Sequence, residues 1–104
     1  YYDEKLVGLM SKIFDNTQRM IEDAFKAFME RSVELANQIM DNMNKIRELD
    51  EAITTEIFET VKDVHSAIRL NSVLREVRRV AGYTVAVADD TVFNETIHQS
   101  VKPA

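Results

Sequence analysis

Two groups of residues in this sequence have types and spacings that could do chemistry. In the first, Glu95 and His98 form a Glu-x-x-His motif. On a helix this spacing puts a carboxylate and an imidazole on one face, as in carboxylate-bridged di-iron sites. Such sites need two of these motifs and two further glutamates. The only other histidine, His65, has Lys62 three positions before it, so the second motif is absent. Glu95 and His98 are therefore an isolated candidate metal pair.

The second group is a concentration of arginines towards the C-terminal half, Arg69, Arg75, Arg78 and Arg79. Guanidinium groups suit phosphate and carboxylate oxygens because their N–H donors form a planar fork. The chain as a whole carries a net charge of −5, which argues against a nucleic-acid surface covering the entire module. The arginines nevertheless predict a local positive patch on an acidic protein.

Other common site chemistries have no residues to support them. The sequence has no cysteine, which removes disulfides, zinc fingers, iron–sulfur clusters and thiol nucleophiles. Its serines have no plausible histidine and acid set, and no glycine-rich phosphate loop is present. We expect a protein that is not an enzyme and that uses no cofactor.

Composition indicates one helical domain. Of the 104 residues 45% are hydrophobic and 30% charged, and only two are glycine and one proline. A β-domain would need turn residues every 8–12 positions, so the chain is predicted to be all-α with long helices. No apolar run approaches the ~20 residues of a membrane span, and no signal segment opens the chain, so a cytoplasmic location without membrane insertion is expected. Because the chain begins at Tyr1 without methionine, residues 1–104 are expected to be a single domain of a longer protein with an N-terminal segment missing.

Three amphipathic patterns predict the helices that must position these side chains. The first helix is expected from about Asp3 to Met29, with Glu30-Arg31-Ser32 as the break and Ser32 as the cap of the second. The third is expected from about Ala67 to His98, with Pro103 just beyond its end. The predicted seams are Leu6, Met10, Ile13, Thr17, Met20, Ala24 and Ala27, then Leu35, Ile39, Asn42, Ile46, Leu49, Ile53 and Ile57, then Leu70, Val73, Leu74, Val77, Ala81, Thr84, Ala88 and Val92.

Three features beside the seams carry further expectations. A turn is predicted around Asp63, His65 and Ser66. Gly82 lies inside the third helix, where glycine is unfavourable, so close approach of a neighbouring helix is expected there. The phenylalanines are expected in the core, and a second row on the first helix is expected to pack on another neighbour. That row contains Phe14, Ile21, Phe25 and Phe28, and Phe58 is the core phenylalanine expected on the second helix. The predicted architecture is an antiparallel, up-down-up three-helix bundle, similar to a spectrin repeat.

The second and third helices carry a family resemblance. Ala36, Ile39, Ile46 and Leu49 fill the apolar positions of one family pattern, and residues 77–89, VRRVAGYTVAVAD, keep much of another. In these residues the chain resembles the PhoU domain of phosphate-uptake regulators, in particular its divergent archaeal members. The resemblance implies a long three-helix bundle, a regulatory role in phosphate uptake or signalling, and a homodimer. It also implies a protein partner such as a phosphate transporter component or a sensor kinase, and DNA binding only through an additional N-terminal domain.

The sequence departs from the family at its metal-binding positions. Some members bind metal clusters through acids spaced four apart on the second and third helices. In this chain those positions are Met43, Arg47, Arg78 and Gly82. Hard cations need oxygen ligands, which these side chains do not supply. We therefore expect no family-type metal site.

The same departure suggests an anion site. In the family's fold Arg47 and Arg78 face each other, with Arg75 and Arg79 nearby, so a cation site could have become an anion site. The alternative is that the arginines pair with acids on a solvated helix face. The acids available for that pairing are Glu48, Glu51 and Glu76.

Three classes of function follow from these features. The first is a PhoU-like regulatory module. In its finer form this module is the dimerising or sensing part of a transcriptional regulator. The second is a plain oligomerisation bundle of a larger protein. The third is a metal-binding helical domain that uses Glu95 and His98.

Overall fold

Three long helices form the whole architecture of the computed structural model, which describes residues 2–101. They are α1 (Glu4–Glu30), α2 (Val33–Thr60) and α3 (Val64–Val101). The links are short, residues 31–32 and 61–63, so consecutive helices run antiparallel. Every pair of helices is in contact, and the molecule is a rod of 64 × 19 × 17 Å. The prediction of an all-α three-helix bundle is confirmed. Pro103, expected to mark the end of the third helix, lies outside the described residues.

Side-chain caps fix where the first two helices begin. Asp3 Oδ1 accepts hydrogen bonds from the backbone N–H groups of Lys5, at 2.6 Å, and Leu6, at 3.1 Å. Ser32 Oγ accepts one from Leu35 N at 3.1 Å, so Ser32 is the cap of α2, as predicted. Each cap satisfies backbone donors that the first turn of a helix cannot pair internally.

The link between α1 and α2 turns at Arg31. This residue has φ 56° and ψ 40°, the left-handed conformation in which a helix often ends, and its N–H bonds to Ala27 O. A side chain other than glycine is strained there. The Arg31 guanidinium is also tied to α3, with Nε 3.0 Å from Glu95 Oε1. The backbone conformation of Arg31 ends α1, and its ion pair with Glu95 holds the turn against α3.

The third helix begins three residues earlier than the sequence indicated. It starts at Val64 and not at Ala67, so His65 and Ser66 lie in its first turn. The reason is Asp63, whose Oδ2 accepts hydrogen bonds from Ser66 N at 3.0 Å and Ser66 Oγ at 2.8 Å. These bonds also lower the pKa of the Asp63 carboxyl below its usual value. Residues that favour turns are equally suited to cap a helix, and here they do the latter.

The core is a single column of small and branched side chains. Most predicted seam residues are buried, while Met10, Leu35, Asn42, Leu49 and Val92 are half-buried. Three buried threonines hydrogen-bond to backbone carbonyls of their own helix: Thr17 to Ile13 O, Thr84 to Ala81 O and Thr91 to Val87 O. The buried hydrophobic residues are Leu6, Ile13, Met20, Ala24, Ala27, Ala36, Ile39, Ile46, Ile53, Ile57, Leu70, Leu74, Val77, Ala81 and Ala88.

The aromatic residues are not where the sequence pattern placed them. Phe14 and Phe58, expected in the core, are 47% and 89% exposed, and Val73 of the third seam is 40% exposed. The rest of the second row on α1, Ile21, Phe25 and Phe28, is also exposed. In a three-helix bundle each helix turns one seam towards the common axis, and within residues 2–101 no further helix covers the second row.

Gly82 has no close neighbour, contrary to the expectation that a helix approaches it. It is exposed in the middle of α3, and a Cβ placed on it would meet nothing within 4 Å. We predict that Gly82→Ala raises the free energy of unfolding by about 1 kcal/mol, because glycine carries an entropic penalty in a helix that no contact offsets here. Urea titration followed by circular dichroism measures this. Ala86→Gly, the reverse change at another exposed position of α3, should lower the same free energy by a similar amount. A loss of stability in Gly82→Ala would contradict the prediction.

Candidate functional site

The four positions that the resemblance assigns to a metal site lie on α2 and α3. Met43 is half-buried, while Arg47, Arg78 and Gly82 are exposed. Arg78 Nη1 forms an ion pair with Asp50 Oδ1 of α2 at 2.7 Å, which crosses from one helix to the other. Arg47 Nη1 donates to Asn44 Oδ1 at 3.1 Å, one turn away on its own helix. The sequence did not suggest Asp50 or Asn44 as partners of these arginines.

The remaining arginines of the cluster lie on α3. Arg79 Nη1 is 3.3 Å from Glu76 Oε1, and Arg79 Nη2 donates to Tyr83 Oη at 3.5 Å. The Tyr83 hydroxyl and the Glu76 carboxylate together raise the pKa of the Arg79 guanidinium. Arg75 is exposed. Arg47, Arg78 and Arg79 thus each have a different partner, and an anion site formed by these residues and Arg75 stays a prediction.

The isolated Glu-x-x-His pair lies near the end of α3. The Glu95 side chain is only 18% exposed and is the partner of Arg31, whereas His98 is exposed on the last turns of the helix. Across residues 2–101 no three His, Cys, Asp or Glu side chains are grouped so as to hold a metal ion. Glu95 has a structural role in the described fold, as the anchor of the Arg31 turn. Metal binding by Glu95 and His98 stays an alternative hypothesis from the sequence.

The sequence analysis was wrong about one apolar surface, which it expected to be buried and which is exposed. It combines the second row of α1 with two valines of α3, and we call it the α1/α3 face. Its members are Val7, Phe14, Ile21, Phe25 and Phe28 of α1 with Val73 and Val80 of α3. The signal was present in the sequence, since Val7, Phe14, Ile21 and Phe28 recur every seven residues, one position after the core residues Leu6, Ile13, Met20 and Ala27.

A groove runs along the middle of this face. It has a volume of about 540 Å³ and lies between α1 and α3, with Phe14, Thr17 and Ile21 on one wall and Val73, Val77 and Val80 on the other. The polar side chains of Gln18, Ser72 and Glu76 also line it. A groove with this lining can take up apolar side chains, and it offers no arrangement of groups for acid–base or nucleophilic chemistry. Within residues 2–101 no helix combines the length and the apolarity that a bilayer crossing requires.

Comparison with known proteins agrees with the resemblance seen in the second and third helices. A curated relative, the phosphate-specific transport system accessory protein PhoU homolog 1 of Thermotoga maritima, is 25% identical over 91 residues. The match covers 84% of this chain and 39% of the relative, so the chain spans about two fifths of that protein's length. No solved structure matches the chain. The profile of the PhoU domain matches residues 10–91, which include parts of all three helices, and the chain therefore belongs to the PhoU domain family.

Proposed function

We propose that this chain is a regulatory protein-interaction module in the control of phosphate uptake or signalling, and that it acts by binding and not by catalysis. The observation that carries this proposal is the match of the PhoU domain to residues 10–91. The relative from Thermotoga maritima, which is named as an accessory protein of phosphate-specific transport, supports a role in the same process.

The character of the surface supports a binding role. The described residues present an extensive apolar face and arginine–carboxylate pairs, and no nucleophile–base arrangement accompanies them. We propose a phosphate transporter component or a sensor kinase in the cytoplasm as the partner. In its finer form the proposal makes the bundle the dimerising or sensing part of a transcriptional regulator, with a DNA-binding segment supplied from outside these 104 residues.

The test is a deletion of the gene in its source organism, with phosphate uptake measured at low and at high external phosphate. We expect uptake to lose most of its repression at high phosphate and to regain it when the wild-type gene is restored. Unchanged uptake in the deletion strain at both phosphate levels would refute the proposal and favour a plain oligomerisation bundle.

A further inference from the structure

We propose that a small pocket between α1 and α2 binds inorganic phosphate. The pocket has a volume of about 170 Å³ and is lined by Lys12, Asp15, Asn16, Arg19, Lys45 and Leu49. It shares no residue with the apolar groove between α1 and α3, nor with the arginines predicted above to hold an anion. The inference deepens the proposed function by naming the small molecule to which the module responds, and it rests on that function for its biological meaning alone.

The spacing of the lining residues brings three cations together. Lys12, Asn16 and Arg19 stand at positions i, i+4 and i+7, so they lie on one face of α1. Lys45 and Leu49 are four residues apart and come from one face of α2. The two helices pack against each other, and the pocket is the place where these two faces meet. Its positive charge is therefore assembled from two helices.

The three cations of the pocket are not neutralised by acids. Within residues 2–101 none of Lys12, Arg19 and Lys45 takes part in an ion pair, whereas three of the chain's other arginines each have a carboxylate partner. Asp15 is the one carboxylate among the lining residues, so an excess of two positive charges remains in the pocket. A chain with a net charge of −5 has many acids with which to pair its cations. An excess of positive charge in a pocket of such a chain indicates an anionic ligand.

A buried hydrogen-bond donor in the same pocket has no acceptor. Asn16 Nδ2 is buried, and across the described residues 2–101 it has no hydrogen-bond partner. Buried side-chain donors are nearly always paired, so an orphaned donor beside a pocket calls for an explanation, and a bound ion is one. A ligand oxygen, reached by a small rotation of the Asn16 amide, provides the acceptor. Together with charge-assisted hydrogen bonds from the three cations, the amide supplies the donors that a tetrahedral oxyanion needs.

Asp15 determines which oxyanion is selected. A carboxylate only accepts hydrogen bonds, so it favours an anion that carries a proton and repels one that does not. At neutral pH inorganic phosphate keeps at least one proton, sulfate keeps none, and a phosphate monoester, with a second pKa of about 6, has mostly lost its own. The P–OH group of inorganic phosphate can therefore donate to Asp15 while its other oxygens accept from the cations. The pocket has about the volume of six waters in the liquid, which suits a small anion.

The experiment is isothermal titration calorimetry of the purified 104-residue chain with sodium phosphate slightly above neutral pH, repeated by phosphorus NMR line broadening. We expect saturable binding with a dissociation constant below about 1 mM. Sulfate and methyl phosphate, titrated at the same ionic strength, should each bind at least roughly ten-fold more weakly. Asp15→Asn should remove this preference, so that sulfate and phosphate bind equally, because the acceptor for the phosphate proton is then lost.

The variant that tests the location is Arg19→Gln combined with Lys45→Gln. It should weaken phosphate binding by roughly a hundred-fold, since each change removes a charge-assisted hydrogen bond. The matched control is Lys26→Gln combined with Arg75→Gln, which removes the same two kinds of charge from exposed positions that do not line the pocket. We expect the control to bind phosphate like the wild type. Circular dichroism establishes that each variant is folded before its affinity is interpreted.

Three results would overturn the inference. They are the absence of phosphate binding in both measurements, wild-type binding of sulfate or methyl phosphate as tight as that of phosphate, and an equal loss of affinity in the control variant. None of them bears on the regulatory role, which phosphate uptake in the deletion strain tests separately. Deregulated uptake in that strain together with no phosphate binding by the chain would leave the proposed function standing and remove only its ligand.

Discussion

Leu74→Ala should lower the free energy of unfolding by about 2–5 kcal/mol, the range for truncating a fully buried leucine. Leu74 has no exposed surface and lies in the core cluster formed by all three helices. Its removal leaves a cavity in the middle of a rod only 17–19 Å thick, where the three helices have few other layers to compensate. Domains of this size are stable by only about 5–15 kcal/mol, so the variant should lose a large part of that margin. Guanidinium titration at one fixed protein concentration measures the change.

Ile68→Ala provides the matched control. Ile68 lies on the same helix, less than two turns away, but is 58% exposed and takes no part in the core. We expect this substitution to cost less than about 1 kcal/mol. Equal losses for the two variants would mean that the hydrophobic column described here does not hold the bundle together.

Glu56→Met should raise the free energy of unfolding by about 1–3 kcal/mol, the desolvation penalty of a buried polar group without a partner. Glu56 is only 6% exposed on α2, and within residues 2–101 its Oε2 accepts no hydrogen bond. The nearest cation is Lys5 Nζ, 3.7 Å away on a side chain that is 75% exposed. That distance satisfies an ion pair but exceeds a hydrogen bond, and the pair is therefore a weak compensation for burial. Methionine fills a similar volume without the charge.

Thermal and chemical unfolding of Glu56→Met should be compared with Glu59→Met. Glu59 is exposed on the same helix, and the same change there should alter stability by no more than about 0.5 kcal/mol. If Glu56→Met were less stable than the wild type, the Lys5–Glu56 pair would be a net stabilising contact between α1 and α2. Lys5 and Glu56 would then both contribute to the stability of the bundle.

Much of the fold was readable from the sequence because hydrophobic periodicity is a local property. The α1 seam from Leu6 to Ala27 repeats in threes and fours, and all of it except the half-buried Met10 is buried. The cap at Ser32 was predictable for a similar reason, since the hydroxyl and the N–H it accepts from are three residues apart. The predicted start of α3 was wrong by three residues, because aspartate and serine favour both turns and caps. Only the path of the chain after Thr60 decides between the two.

The candidate site was less predictable than the fold. Arg78 with Asp50 and Arg31 with Glu95 join residues distant in sequence, and no spacing rule identifies such partners. The exposure of Phe14, Phe25 and Phe28 could not be predicted either, because it also depends on which helices pack against each other. A helix with two apolar rows can bury either or both, and the number of helices in the bundle determines which.

The sequence by itself therefore determined that the chain is helical, where its core seams lie and that it belongs to the class of PhoU-like bundles. These properties depend on side-chain periodicity, on the scarcity of glycine and proline and on short motifs, all of which act over one or two turns. The tertiary structure alone decided which arginine pairs with which acid, that Gly82 is open, that Glu56 Oε2 is buried without a hydrogen bond and that the second row of α1 is uncovered. Those properties depend on the packing of three helices around one axis, because packing brings distant residues together and leaves the second row of α1 uncovered.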